Sequence, residues 1–137
     1  MTMVQEPLTS LEDDVAATKR ILDLQNGPCI LVAHSYGGSI ITVAGMDPHV
    51  AGLAYVAAHA PDVGEDEGNL GKKMPSATSK QEGAVKKTAD GFTFLDPKDF
   101  YDDFVADLPR AQAEFESRSQ IPTAAKVFTA PILTADG

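Results

Sequence analysis

Ser35 stands where a hydroxyl could be made reactive. It lies between Ala33 and Gly37, close to the G-x-S-x-G spacing in which a strand turns sharply into a helix. Such a turn holds its serine at strained backbone angles, and a larger side chain two residues before or after would meet the opposing backbone. Alanine at position 33 is a small departure from glycine. In this geometry the hydroxyl stands clear of the sheet, and the amide of Tyr36, at the helix N-terminus, is aimed at an oxyanion forming on a bound carbonyl. The chemistry would be acyl transfer through an ester on the serine. The alternative is an ordinary tight turn that happens to read Ser-Tyr-Gly-Gly.

A serine needs a base within hydrogen-bond reach and a group to orient that base. The sequence offers three histidines. His34 adjoins Ser35, and chain neighbours face opposite ways, so a structural or pocket-lining role is expected for it. His49 follows Pro48 at the wrong end of a strand and is expected at the surface. His59 leaves the strand expected beside that of Ser35, where neighbouring strands lie about 4.8 Å apart, and Asp62 follows it. One reading is a displaced set of Ser35, His59 and Asp62; the other is a pocket histidine beside a solvated loop carboxylate. Glu65-Asp66-Glu67 has no metal-ligand pattern around it and is expected to be a solvated acidic loop. Phe92, Phe94, Phe100, Tyr101 and Phe104 either line a pocket for an acyl or aromatic group or pack helices together, and helical spacing favours packing.

The elements that must hold these residues can be read in order. Thr9-Ser10-Leu11-Glu12 is a capping box with Thr9 as the cap. The helix that follows puts Leu11, Val15, Thr18, Leu22 and Gln25 on one face and Glu12, Asp13 and Asp14 at the positive end of its dipole. Asn26-Gly27-Pro28 ends it. Cys29 opens an apolar strand and is expected to be a buried small hydrophobe, unable to form an internal disulfide because it is the only cysteine. Gly37 to about Met46 is the next helix, stopped by Asp47-Pro48. Val50 to Ala58 is a second apolar strand, near-continuous, as in strands covered on both faces. Strand, helix, strand makes a parallel pair, and Ser35 and His59 leave it at the carboxyl edge where open α/β sheets bind ligands. Residues 61–91, rich in glycine and charge, are expected to be loop or poorly ordered chain. Asp96-Pro97 opens a helical stretch with Phe100, Phe104 and Leu108 at intervals of four, Pro109 breaks it, and a further helix runs from Arg110 to about Gln120. Residues 130–137 read as either a frayed end or the start of a strand.

The run from Val32 to Gly38, preceded by Asn26-Gly27-Pro28 and followed by Val50 to Ala58, resembles the α/β-hydrolase superfamily. More narrowly, it is similar to small bacterial hydrolases related to the plant methyl esterase and hydroxynitrile lyase group. The resemblance runs from about Val4 to about Pro122, including Leu8-Thr9-Ser10-Leu11 and Asp90-Gly91-Phe92. It implies a partial α/β-hydrolase fold, a short parallel sheet with flanking helices and a helical cap. Residues 1–60 would form the core unit with the nucleophile turn, 61–91 the insertion, and 92–137 the cap and tail. It also implies that the family's catalytic histidine, and the loop giving a second oxyanion amide, belong to parts of such a protein not represented in these 137 residues. Ser35 would be the nucleophile, with Tyr36, His34 and Gly37 around the oxyanion and substrate, and no metal or organic cofactor. Serine at this position argues against the dehalogenase and epoxide hydrolase branches, which use aspartate.

A net charge of −9 and a pI near 4.6 argue against nucleic-acid binding, which needs clustered Lys and Arg. No apolar run approaches the roughly 20 residues that span a bilayer, and the acidic start lacks a signal-peptide layout, so a cytoplasmic protein is expected. The function expected is a serine hydrolase acting on a small carboxylic ester, thioester or lactone. A second reading is a truncated, inactive fragment serving as a binding or assembly module or surviving as a remnant, with a homo-oligomer pairing its open sheet edges. Hydroxynitrile lyase chemistry, which uses the same turn, is a third.

Overall fold

A computed structural model, describing residues 1–75 and 83–133, divides the chain into two units, Met1–Leu70 with Lys126–Gly137, and Gly71–Ala125. In the first unit, helix α1 (Leu11–Leu22) is capped by Ser10 rather than Thr9. Ser10 is the residue with extended backbone just before the helix, and its Oγ accepts from the Asp13 amide at 3.1 Å. The Thr9 hydroxyl instead donates to the Asp13 carboxylate at 2.7 Å. Leu11, Val15, Thr18 and Leu22 are buried as their periodicity predicts, and Asp14 is buried with them.

Strands β1 (Cys29–His34) and β2 (Val50–Val56) pair in parallel, with α2 (Gly37–Ala44) between them in sequence. Leu31, Ala33 and Tyr55 lie on the α2 side. There a Cβ on Gly37 would come within 3.0 Å of that of Ala33, and the Thr42 and Tyr55 hydroxyls bond at 2.9 Å. A β-carbon at 37 would thus crowd Ala33. The other face corrects the expectation of strands covered on both sides. Ile30 and Val32 are 69% and 66% exposed, and Val56 shares that open face. Cys29 is also half-exposed rather than buried, its thiol against the Gly27 carbonyl.

Residues 61–91 are more regular than glycine and charge content suggest. They hold helix α3 (Glu67–Lys73) and strand β3 (Val85–Lys87); the part of that expectation falling on 76–82 lies outside the described residues. Residues 92–125 are not purely helical. β3, β4 (Phe92–Leu95) and β5 (Thr123–Ala124) form an antiparallel sheet, with α4 (Phe100–Phe104) and α5 (Arg110–Arg118) between β4 and β5 in sequence. Phe92 and Phe94 therefore lie on a strand. Phe100, Val105 and Ala113 make a small core with Leu95, Tyr101 and Leu108 around it. The Phe100 and Phe104 rings are 5.2 Å apart and the Arg110 guanidinium lies 3.9 Å over the Tyr101 ring, so these helical aromatics pack their own unit. A short 3-10 helix covers Ala125–Thr129. Beyond it Ile132 is buried and exchanges backbone bonds with the loop, its carbonyl accepting from Gly64 at 2.8 Å and its amide donating to Glu65 at 2.9 Å.

Candidate active site

Two non-glycine residues with left-handed backbone stand side by side at the carboxyl edge of the parallel pair. Ser35 has φ +53° and Ala57 φ +43°, and the Ser35 amide donates to the Ala57 carbonyl at 3.2 Å. A β-carbon in this region is sterically costly, and single serines are held there only when the surroundings dictate it. Here they do. The apolar pairing of β1 and β2 fixes the chain on one side of Ser35. On the other, Gly38 and Ser39 donate to the carbonyls of Ser35 and Tyr36 at 2.9 and 3.0 Å, turning the chain straight into α2. A Cβ on Gly38 would collide with the carbonyl oxygen of His59, so only glycine lets the strand exit and helix lie this close. The Ser35 side chain is exposed, and its hydroxyl has no hydrogen-bond partner among the described residues.

Tyr36 caps α2 with helical backbone, φ −52° and ψ −27°. The opening amides of a helix have no partner within it. Those of Tyr36 and Gly37 are therefore the donors nearest the Ser35 hydroxyl in the chain. The Tyr36 ring runs the opposite way, into the interior, where its hydroxyl donates to Asp14 at 2.9 Å and its edge meets the Phe128 ring. Burial first, and then the Asp14 carboxylate, push the phenol well above its ordinary value.

His59 is oriented, but not by Asp62. Its Nδ1 lies 2.7 Å from Oε1 of Glu67, whose other oxygen accepts from the buried Ser39 hydroxyl at 3.2 Å. The carboxylate selects the tautomer with the proton on Nδ1 and leaves Nε2 as an acceptor. Asp62 turns instead toward a cavity of about 530 Å³ lined by Leu11, Val15, Val43, Met46 and Ile132, and its amide is held by Glu65 at 3.0 Å. That cavity lies along α1 and α2 and does not include Ser35. The separation of roles follows from α3. By starting at Glu67 it brings that carboxylate back to α2, whereas Asp62 is spent in the loop before it. The acidic run is thus not uniformly solvated. His34 is exposed and shares the open sheet face with Ile30 and Val32, away from the Ala33 and Gly37 side. His49, at the other end of β2, pairs with Asp47 at 2.9 Å. With Asp23 these two form the group among the described residues whose ligand atoms come within 4.8 Å of one another, at the edge remote from Ser35.

The corner at Ser35, between a parallel strand pair and its helix, agrees with the comparison of sequence families. Residues 5–136 match the alpha/beta hydrolase family. The chain belongs to that family. Among solved structures, this α/β-hydrolase chain is similar to a pyrethroid hydrolase, PytH. A serine-to-alanine variant of PytH superposes with TM-score 0.67 at 19% identity, covering 93% of this chain and 54% of the other. A histidine-to-alanine variant gives TM-score 0.66 at 20% identity, with 91% and 52% covered. An extracellular α/β-hydrolase from Paenibacillus, described as sharing structural and functional homology with tobacco salicylic acid binding protein 2, gives TM-score 0.64 at 18% identity, with 92% and 52% covered. At these identities the similarity is one of fold. The chain spans about half the length of the solved structures it matches. No curated protein matches it in sequence.

Three residues of the site escaped the sequence: Ser39, Glu67 and Asp14. Asp14 and Glu67 each end an acidic run and Ser39 follows two glycines, and each is distinguished only by a partner far along the chain.

Proposed function

We propose that this chain carries the nucleophile of a serine hydrolase acting on a small carboxylic ester, thioester or lactone. The observation that carries the reading is the left-handed backbone of Ser35, a serine kept in a conformation that glycine would adopt without strain. In the proposed reaction Ser35 Oγ bonds to the carbonyl carbon while its proton passes to Nε2 of His59. The oxyanion accepts from the Tyr36 amide, supported by the N-terminus of α2. Collapse breaks the bond to the leaving alcohol or thiol, which takes the proton from His59. Water, deprotonated by the same nitrogen, then adds to the acyl carbon, and the bond to Ser35 Oγ breaks as that oxygen takes the proton back from His59, releasing the acid. Glu67 orients His59 in the place first expected for Asp62. No metal or organic cofactor enters these steps. The family, and the hydrolases with which the fold is shared, support the class of reaction.

A fluorophosphonate probe tests this directly. Ser35 should be labelled in the wild type and labelling should vanish in Ser35→Ala; a folded wild type that takes no label would end the proposal. A cytoplasmic setting belongs to the same proposal and is tested by cell fractionation. No helix among the described residues is long and apolar enough to cross a membrane, while one of the similar hydrolases is extracellular.

One observation favours a second reading, an assembly module without turnover. The open face carrying Ile30, Val32 and Val56 is apolar, and parallel sheets are normally covered on both sides. A homo-oligomer, or pairing with another chain, would cover it. Concentration-dependent sedimentation without probe labelling is the outcome this reading requires.

A further inference from the structure

Beneath the Ser35 corner lies a group of acids that the reaction above does not use. Asp14 is fully buried on α1. One of its oxygens accepts from the Leu8 amide at 2.7 Å and the other from the Tyr36 hydroxyl at 2.9 Å. Leu8, with φ +57°, turns the N-terminal segment back along the helix, which brings Glu6 to the same place. There Oε1 of Glu6 accepts from the Thr18 hydroxyl at 2.9 Å, while Oε2 is buried without a partner. The groups acting on Glu6 are Thr18 and Asp14 of α1, and Glu6 in turn acts on Tyr36 of the corner. Around them, Glu12 adds negative charge toward Tyr36 and Asp13 toward Asp14, and Lys126 lies toward Asp13.

An unpartnered carboxylate oxygen beside a second buried carboxylate is costly when both are ionised. The arrangement is relieved if Glu6 keeps its proton while Asp14 stays charged, accepting from two donors. Consistent with this, burial raises Glu6 to about 7, and Asp14 adds to the rise. Burial raises Asp14 as well, opposed by the Tyr36 and Leu8 hydrogen bonds.

We propose that Asp14 is a positioning residue for the nucleophile turn, holding the Tyr36 backbone in place through the Tyr36 hydroxyl, and that the charge on Glu6 sets how firmly it does so. Its catalytic meaning rests on the serine hydrolase reading, because the Tyr36 amide is the donor assigned there to the oxyanion. The hold itself does not depend on that reading. Tyr36 thus has two parts to play: its amide is the donor assigned to the oxyanion, and its ring is anchored through α1. With Glu6 neutral the anchor has one formal charge. With Glu6 ionised a second negative charge enters the same desolvated space, and the simplest release is for the Glu6 segment or the Tyr36 ring to move outward.

Amide hydrogen exchange, read at Gly38 and Ser39 against the amides of β1, separates the two ideas. The rate should be corrected for the intrinsic pH dependence of exchange. Tyr36→Phe and Asp14→Asn should raise exchange at Gly38 and Ser39 roughly tenfold relative to β1, the scale of one hydrogen bond to a charged group. In the wild type the corrected ratio should rise as pH passes upward through about 7; in Glu6→Gln, which fixes the neutral form, it should stay flat. An unchanged ratio in Tyr36→Phe, an equal rise in β1, or the same pH dependence in Glu6→Gln would overturn the proposal. Fluorophosphonate labelling of the same samples reports separately on the reaction. A local rise in exchange without any labelling of wild type would leave the anchor standing and remove the serine hydrolase reading. Labelling that slows about tenfold in Tyr36→Phe would join the two.

Discussion

The second strand has a histidine paired with a carboxylate near each end, and the two pairs are built differently. His49 and Asp47 are two residues apart, and the Asp47 oxygen that bonds the ring at 2.9 Å also accepts the His49 amide at 2.9 Å. This is a local turn, with the histidine side chain 43% exposed. His59 and Glu67 are eight residues apart, and Glu67 is 12% exposed and held on its far side by Ser39. One pair costs the chain almost nothing to form and water can replace it. The other needs α2, the strand exit and α3 in register. The same two functional groups therefore give a turn in one place and, in the other, a ring oriented through Glu67 and Ser39 of α2.

Substitutions can break this contrast, and the largest expected effect is on turnover. His59→Ala should lower hydrolysis of a short p-nitrophenyl ester by about 10²- to 10⁴-fold, the usual contribution of a positioned base, whereas His49→Ala should leave it within about twofold, as for a surface group with no part in the reaction. Equal rates for wild type and His59→Ala would remove the base from the scheme. Next comes stability. Gly38→Ala, forced against the His59 carbonyl, should cost about 1–3 kcal/mol in urea unfolding, as overpacking does, and a midpoint matching the wild type would show that the strand exit is not clamped to α2. Glu67→Gln, which can still accept from Nδ1 but has lost its charge, should lower kcat about tenfold with KM unchanged, reflecting the weaker neutral hydrogen bond; a change in KM alone would make Glu67 a binding group instead.

The smallest effect belongs to Asp47. Its carboxyl is held below the usual value, first by the His49 amide and then by the ring. A depressed acid contributes stability above its unfolded value, and that contribution is lost as pH falls through the folded one. Asp47→Asn should therefore lower the urea midpoint slightly at pH 7, and the gap to wild type should close well below pH 3.8.

What could be read from the sequence was whatever is settled within a few residues. Ala33, Ser35 and Gly37 constrain one another across a single turn, and the runs 29–34 and 50–56 are apolar enough to be strands in any context. The sheet β3-β4-β5 was not legible. Its strands are two to four residues long, β3 is wholly exposed, and β4 is held partly by Gln120, whose amide both accepts from and donates to the Leu95 backbone at 2.9 Å. Nothing near residue 95 announces a partner 25 residues away. Asp14 was hidden differently. As the third of Glu12-Asp13-Asp14 it reads as a charge complementing a helix dipole, and only the return of the chain at Leu8 and the reach of Tyr36 turn it into a buried anchor. The open face of β1 shows the reverse error: composition reported what the strands are suited to pack against, and the described residues do not supply it.

The left-handed backbone at position 35 also bears on inheritance. Ser35→Gly should make the protein more stable by about 1–2 kcal/mol, the toll a β-carbon exacts there, while ending any chemistry the hydroxyl performs. A lineage that retained this chain only for its shape would gain by drifting to glycine, and one that still turned over a substrate would be barred from doing so. The residue found at this corner in its descendants would then record which of the two has been under selection.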